Sequence, residues 1–314
     1  MRKNLFVIIT ISVIAYLGLS FMDGSGGSAN DLESIQEPAT DTIISLPPVD
    51  LYKSELKLTK APYLKCKAAI VVDNKTDQIL YEKNAEVKRP IASITKLLAA
   101  MVLVDMEFDL NKKIIISSWD ANNSAKSHLR VGEKFTARDL FYAAMICSDN
   151  RAIKALSRST DITYPEFVKK MNEKARMLGM DSTSVVEPSG IFDENISTAK
   201  DCAKLINAAL NYPMIKSALT CPRYEFRSLN HKRLHRIPNT NRMLQSKWYV
   251  DGGKTGYISA SGYCLANRMR DDARNDITTV VLGCSSNSYR FAETRKAAEW
   301  AFKNLNNHLA DGGK

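Results

Sequence analysis

Apolar positions recur along this chain in two rhythms. Ala68-Ala69-Ile70-Val71-Val72 is an unbroken apolar run, Asp73 to Asp77 is a polar turn cluster, and Ile79-Leu80-Tyr81 is a second run. That order predicts a β-hairpin. From Ile91 to about Met106 apolar residues return at helical spacing, just after Pro90. Thr136-x-x-Asp139 opens a second helical stretch to Ile146 in the manner of a capping box. Thr163-x-x-Glu166, with Pro165 in the first turn, opens a third that Gly179 ends. Thr198-x-x-Asp201 opens a fourth, to about Leu210. Near the end, Gly262–Ala266 and Ile277–Leu282 read as buried strands, and Tyr289–Leu305 as an amphipathic helix. A hairpin first, helices in the middle, then strands and a helix predict an α+β layer fold rather than alternating βαβ units.

The start of the chain selects the compartment. Arg2 and Lys3 precede an uncharged run from Leu5 to Met22, long enough for a signal peptide or a signal anchor. Residues 1–22 are therefore expected to direct export, with everything after them outside the cytoplasm. Asp23–Asn30 is Gly/Ser-rich, and Pro38, Pro47 and Pro48 punctuate an acidic stretch. Residues 23–60 read as a flexible tether, 61–308 as the folded domain and 309–314 as a tail.

Composition changes the picture only slightly. With 45% hydrophobic and 25% charged residues, a disordered or collagen-like chain is excluded. A net charge of +10 suits an anionic envelope polymer or a simply solvated surface. No nucleic-acid-binding module accompanies it, so nucleic acid is not an expected partner. Six cysteines in an exported chain permit disulfides without revealing their pairing. None lies at C-x-x-C spacing, and His231-Lys232-Arg233-Leu234-His235 lacks the Glu of H-E-x-x-H, so no metal and no cofactor is expected.

Three short motifs carry the candidate chemistry. Ser93-Ile94-Thr95-Lys96 opens the most apolar helix; residues three apart share a helix face, which brings a Lys amine within reach of a Ser hydroxyl. A serine needs a base to become a nucleophile, and a lysine serves when burial lowers its pKa. S-x-x-K also occurs at Ser54…Lys57 and Ser197…Lys200, in the tether and at the head of a charged helix. Only at Ser93 does it head a buried helix. Ser148-Asp149-Asn150 follows the Asp139–Ile146 stretch, and Lys254-Thr255-Gly256 precedes strand-like sequence. S-x-x-K, S-D-N and K-T-G in that order are the set shared by penicillin-binding proteins and class A β-lactamases.

With these motifs the chain resembles the serine D-Ala-D-Ala carboxypeptidases, the low-molecular-mass penicillin-binding proteins, over about residues 62–305. Pro90–Lys96 is similar to the family's P-A-S-x-T-K. Val131-Gly132-Glu133 with Arg138-Asp139-Leu140, and Leu178-Gly179-Met180 through Glu187-Pro188-Ser189-Gly190, match further stretches, as do Asn239-Thr240-Asn241 and Asp251–Tyr257 with Gly262–Leu265. The family usually spells its second motif S-G-N, and many members carry a C-terminal β-rich domain and anchor.

The resemblance implies a β-lactamase-like transpeptidase fold, an antiparallel sheet flanked by helices with an all-helical subdomain. It implies Ser93 as the acylated nucleophile and Lys96 as its base. Ser148 would relay a proton to the leaving amine, and Asn150 would brace Lys96 and the substrate backbone. Lys254 would hold the substrate carboxylate and lower the pKa of Lys96, and Thr255 would hydrogen-bond that carboxylate. Gly256 lets substrate lie close to the strand. The N–H groups of Ser93 and Tyr257 would form the oxyanion hole, and Arg290 of an R-x-x-E would help bind the terminal carboxylate.

The implied substrate is the peptidoglycan stem peptide, the implied inhibitors are β-lactams, and the N-terminal segment would contact the membrane. DD-endopeptidase activity on crosslinks is the close alternative. A β-lactamase needs an E-x-x-x-N glutamate; the position four after Glu187 is Ile191. A wall-binding protein without turnover is the third.

Overall fold

The computed structural model of the chain describes residues 58–124 and 127–311. The expected hairpin is β1 (Ala68–Asp73) and β2 (Ile79–Lys83). A two-residue strand, β3 (Arg89–Pro90), and one 3-10 turn (Ala92–Thr95) lead into α1 (Lys96–Asp105). Next come β4 (Lys113–Ile115), α2 (Ser118–Ala121), β5 (Lys134–Thr136) and α3 (Ala137–Ile146). Then α4 (Asn150–Arg158), α5 (Tyr164–Met177), β6 (Ile196–Ser197), α6 (Ala199–Ala209) and α7 (Pro213–Thr220) follow. A small hairpin, β7 (Arg223–Arg227) and β8 (Leu234–Pro238), and a second 3-10 turn (Arg242–Gln245) precede the last elements. These are β9 (Tyr249–Ile258), β10 (Gly262–Arg270), β11 (Asp276–Cys284) and α8 (Asn287–Asp311).

The main sheet is antiparallel in the order β2-β1-β11-β10-β9, so the first hairpin pairs with the last strand. Both of its faces are covered, which explains why its strands read as continuous apolar runs. Ala69, Val71, Leu265, Ile277 and Val281 pack with Phe291, Ala298 and Phe302 of α8. Ala68, Ile70, Ala266, Val280 and Leu282 point the other way, into a larger core with α1, α3, α4 and α6. α1 is the centre of that core: Lys96 to Leu103 are all buried, so it has no polar face in its middle.

The caps behave as the sequence predicts. Thr136, Thr163 and Thr198 each accept a hydrogen bond from the backbone three residues on, and Thr163 with Glu166 completes a reciprocal capping box. The helix expected from Ile91 instead opens as a 3-10 turn and becomes α-helical at Lys96, and Ala92 at φ 47°, outside the right-handed helical region, sets Ile91 apart from it. Lys254-Thr255-Gly256 does not precede a strand; it lies inside β9. α4, α7 and the β7–β8 hairpin carry no signal that periodicity alone picked out.

Residues 1–22, the tether up to residue 57 and the tail beyond residue 311 lie outside the described residues. Thr59 already belongs to the folded part: its N–H donates to Asn304 Oδ1 at 2.7 Å, and Trp300 Nε1 donates to its carbonyl at 3.2 Å. Lys65 N–H donates to Glu293 Oε2 at 2.7 Å and Lys296 Nζ to the Tyr63 carbonyl at 2.7 Å, so this entering segment is laced along α8. At the other end α8 runs on to Asp311, through the first residues of the expected tail. Among the described residues no helix is long and apolar enough to cross a membrane. His235, one of the two histidines weighed as metal ligands, is buried against Phe135 and Phe226, with Nε2 3.3 Å from Glu133 Oε1.

Candidate active site

The three motifs converge where the helical core meets the edge strand β9. Ser93 stands in the 3-10 turn, and Lys96 is the first residue of α1, fully buried. Lys96 Nζ lies 2.8 Å from Ser93 Oγ, 2.6 Å from Asn150 Oδ1 and 2.6 Å from the Ser189 carbonyl oxygen. Two of these partners only accept. A neutral amine has two N–H bonds and one lone pair. With Asn150 and Ser189 taking the two N–H bonds, the lone pair is left facing the Ser93 hydroxyl. Burial lowers the Lys96 pKa from its ordinary value to about 8, against the opposing pull of Glu187 and Asp149.

Asn150 begins α4, and Asp149 is its N-cap, accepting from the N–H groups of Arg151 and Ala152 at 3.0 and 3.2 Å. The same carboxylate accepts from Ser127 Oγ at 2.7 Å and His128 N–H at 2.9 Å. The middle residue of S-D-N thus ties the motif to a neighbouring loop. Ser148 sits at φ 62°, a left-handed conformation that costs a non-glycine residue about 1–2 kcal/mol. Among the described residues its Oγ is buried without a hydrogen-bond partner. A buried hydroxyl left free in this way is available to a substrate or a proton.

β9 forms the opposite wall. Lys254 and Thr255 are buried and Tyr257 is half-exposed, stacked on Tyr263 with ring centroids 4.2 Å apart. Thr255 Oγ1 lies 2.7 Å from Thr240 Oγ1, and Thr240 N–H donates to the Ile146 carbonyl at 3.1 Å, so Thr240 pins the strand to the end of α3. A Cβ on Gly256 would come within 2.9 Å of the Ile91 carbonyl oxygen and 3.1 Å of Ser93 N, which explains the glycine. The expected effect of Lys254 on Lys96 takes a different form. Burial is the main cause of the Lys96 shift, and the pKa of Lys254 is itself held well below normal, by burial first and then by the Lys96 charge.

Arg290 is not part of the Ser93–Lys96 network. It is buried on α8, and its Nη1 donates to the Gly256 carbonyl at 3.0 Å and reaches the Cys264 carbonyl at 3.5 Å. The guanidinium lies over Tyr263 and Phe291, 5.4 and 5.0 Å from their ring centroids, and its Nε has no hydrogen-bond partner among the described residues.

One group that sequence reasoning gave no role is the Glu187–Gly190 loop. Glu187 is buried and accepts from Ser189 N–H at 2.7 Å, Ser189 Oγ at 2.5 Å, Ile191 N–H at 2.8 Å, Asn195 Nδ2 at 3.1 Å and also Gly190 N–H. Those bonds turn the loop so that the Ser189 carbonyl meets Lys96. Gly190 has φ 77°, and a Cβ there would fall 2.0 Å from the Ala92 carbonyl oxygen, so only glycine fits against the turn that carries Ser93. The quoted Glu187-Pro188-Ser189-Gly190 match was its sequence signal; a backbone carbonyl as ligand leaves none.

Comparison with known proteins agrees with this geometry. Residues 55–286 match the D-alanyl-D-alanine carboxypeptidase family model. The chain belongs to that family of serine peptidases. It is 35% identical over 238 residues to a D-alanyl-D-alanine endopeptidase of Pseudomonas aeruginosa, covering 74% of this chain and 76% of that protein. It is 28% identical to the D-alanyl-D-alanine carboxypeptidase DacF of Bacillus subtilis, covering 85% and 69%. Among solved structures, a DD-transpeptidase of Streptomyces superposes with a TM-score of 0.72 at 26% identity, over 78% of this chain and all of that one. This serine peptidase therefore has the penicillin-binding-protein fold expected from its motifs, and its family and relatives are DD-carboxypeptidases and DD-endopeptidases.

Proposed function

We propose that the chain is an exported DD-carboxypeptidase that removes the terminal D-Ala of peptidoglycan stem peptides through an acyl-enzyme on Ser93. The observation that carries this reading is the Lys96 amine, buried and aimed at Ser93 Oγ by Asn150 and the Ser189 carbonyl. Lys96 takes the Ser93 proton as Oγ attacks the carbonyl carbon of the D-Ala–D-Ala bond. The developing oxyanion is met by the N–H groups of Ser93 and Tyr257, a role supported by how closely Gly256 passes Ser93 N. Ser148 Oγ, without a partner among the described residues, relays that proton from Lys96 to the departing D-Ala amine as the C–N bond breaks. Water then attacks the ester carbonyl, one of its protons passes through Lys96 to Ser93 Oγ as the ester C–O bond breaks, and the shortened peptide leaves with a new carboxylate.

The stem peptide binds as an extended strand along the outer edge of β9, the last strand of the sheet. Lys254 and Thr255 meet its carboxylate, and Arg290 keeps the Gly256–Tyr257 backbone in place from behind. A β-lactam opens on Ser93 by the same attack. Residues 1–22 direct export and 23–57 carry the domain away from the membrane.

Cleavage of D-Ala-containing crosslinks is the second reading, favoured by the endopeptidase relatives at 35% and 32% identity. A β-lactamase reading lacks its base: the Glu187 carboxylate is already filled by five donors, leaving no lone pair for a hydrolytic water. The test is D-alanine release from an acyl-L-Lys-D-Ala-D-Ala peptide, beside crosslinked muropeptide dimer, by wild type and Ser93→Ala. Release by wild type and a loss of at least about 10⁴-fold in the variant are expected. A folded wild type that acts only on the dimer would replace the carboxypeptidase reading with the endopeptidase one. One that acts on neither and takes no penicillin label would overturn both.

A further inference from the structure

The cysteine pairing that the sequence leaves open is narrowed by the sheet register. Cys66 lies two residues before Ala68, and Ala68 is paired with Leu282. Lys67 N–H donates to the Leu282 carbonyl at 3.0 Å, and the Lys67 side chain lies over Gly283. The segment before β1 therefore stays beside the end of β11, where Gly283 at φ 74° interrupts the regular ladder, and Cys66 and Cys284 lie in this neighbourhood. Both thiols are almost sealed, at 3% and 1% exposure, in the apolar cluster with Leu64 and Phe291 between sheet and α8. The two thiols shift each other's titration, Cys66 downward and Cys284 upward.

The other four cysteines have different partners. Cys147 Sγ donates to the Ala143 carbonyl at 3.2 Å, Cys202 to Ser197 Oγ at 3.7 Å, Cys221 to the Arg223 carbonyl at 3.0 Å and Cys264 to the Ser261 carbonyl at 3.9 Å. Directly opposed positions on antiparallel strands bring Cα atoms to about 4.5–5.5 Å, within the span of a disulfide.

We propose that Cys66 and Cys284 are a disulfide in the exported protein, stapling the segment that enters the domain to its last strand; this rests on the extracytoplasmic reading above. Before the cluster closes either thiol can start the exchange; in one order Cys66, as the thiolate, begins it. It attacks the S–S bond of a disulfide oxidant, a thiol–disulfide oxidoreductase or oxidised glutathione, forming a mixed disulfide and releasing one thiol. Cys284 then attacks Cys66 Sγ and releases the second. The two cysteines lose two protons and two electrons, and the oxidant's disulfide becomes two thiols. The burial of both sulfurs puts this step during folding, before Leu64 and Phe291 close over the pair.

The experiment refolds the full chain in glutathione buffers poised from cytosolic to extracytoplasmic potentials. Thiols are then counted by alkylation and linked peptides are mapped. Loss of two alkylatable thiols at the oxidising end, a Cys66–Cys284 linked peptide, and a Tm about 5–15 °C above the reduced form are expected. The double variant Cys66→Ala/Cys284→Ala should keep D-alanine release and lose the redox dependence of Tm. Six alkylatable thiols at every potential, or a different linked pair, would overturn the disulfide. D-Ala release is read separately in the same samples, so failure of the disulfide and failure of the peptidase reading are distinct results.

Discussion

The two walls of the cleft are built from opposite kinds of backbone. The helical wall carries Ser93, Lys96, Ser148 and Asn150 at turns and helix starts, with left-handed φ at Ala92 and Ser148. The strand wall is β9, whose contribution is the sheet's edge, a close-passing glycine and a buried lysine amine. Bond-making chemistry needs side-chain atoms fixed to a few tenths of an ångström, and irregular backbone held by packing supplies that. Strand recognition needs only repeating N–H and C=O groups, which an edge strand already has. Substitutions on the helical wall should therefore act on kcat, and substitutions on the strand wall on KM.

The largest effect expected is from Lys96→Met. Acylation of Ser93 by a chromogenic β-lactam should fall by about 10³-fold or more, because the hydroxyl loses its base while the apolar isostere preserves packing. In wild type the acylation rate should rise with pH through about 8 and then level off, since only the neutral amine accepts the proton. Lys96→Met should retain no such limb. A limb that persists in the variant would assign the base elsewhere.

Glu187→Gln probes the helical wall without touching Ser93. The carboxylate raises the Lys96 pKa, so its neutralisation should move the pH limb below 8. The new amide would also face the N–H donors of Ser189, Gly190 and Ile191, so the Tm should drop. A stability loss with an unmoved limb would reduce Glu187 to a scaffold for the loop.

The smallest effect is expected on the strand wall. Thr240→Val removes the hydrogen bond to Thr255 Oγ1 and should raise KM for the D-Ala-D-Ala peptide by about 3–10-fold with little change in kcat. Equal losses in kcat would mean that the strand wall also aligns the reacting carbonyl, and the contrast between the walls would fail.

Much of this was legible from local signals. The capped helices start where Thr136, Thr163 and Thr198 announce them, because an N-cap is an interaction over three residues. The β1–β2 hairpin and β11 follow from apolar runs. β9 did not: Asp251-Gly252-Gly253-Lys254-Thr255-Gly256 is mostly residues depleted in strands, and pairing with β10 makes it a strand. The left-handed φ of Ala92 was equally silent; Gly190, which packs against that turn, is about a hundred residues away in sequence.

The sequence by itself determined which side chains are available for chemistry. Ser93 and Lys96 share a face because they are three residues apart, and the order of the three motifs identified the family. Tertiary structure decided what those groups can do. The Lys96 pKa is set mainly by burial, its lone-pair direction by a carbonyl from Ser189 and an amide from Asn150, and Ser148 Oγ is left without a hydrogen-bond partner among the described residues. Spacing along a helix is a local property of the chain; burial and orientation are long-range ones, which exist only once sheet and helices have closed on each other.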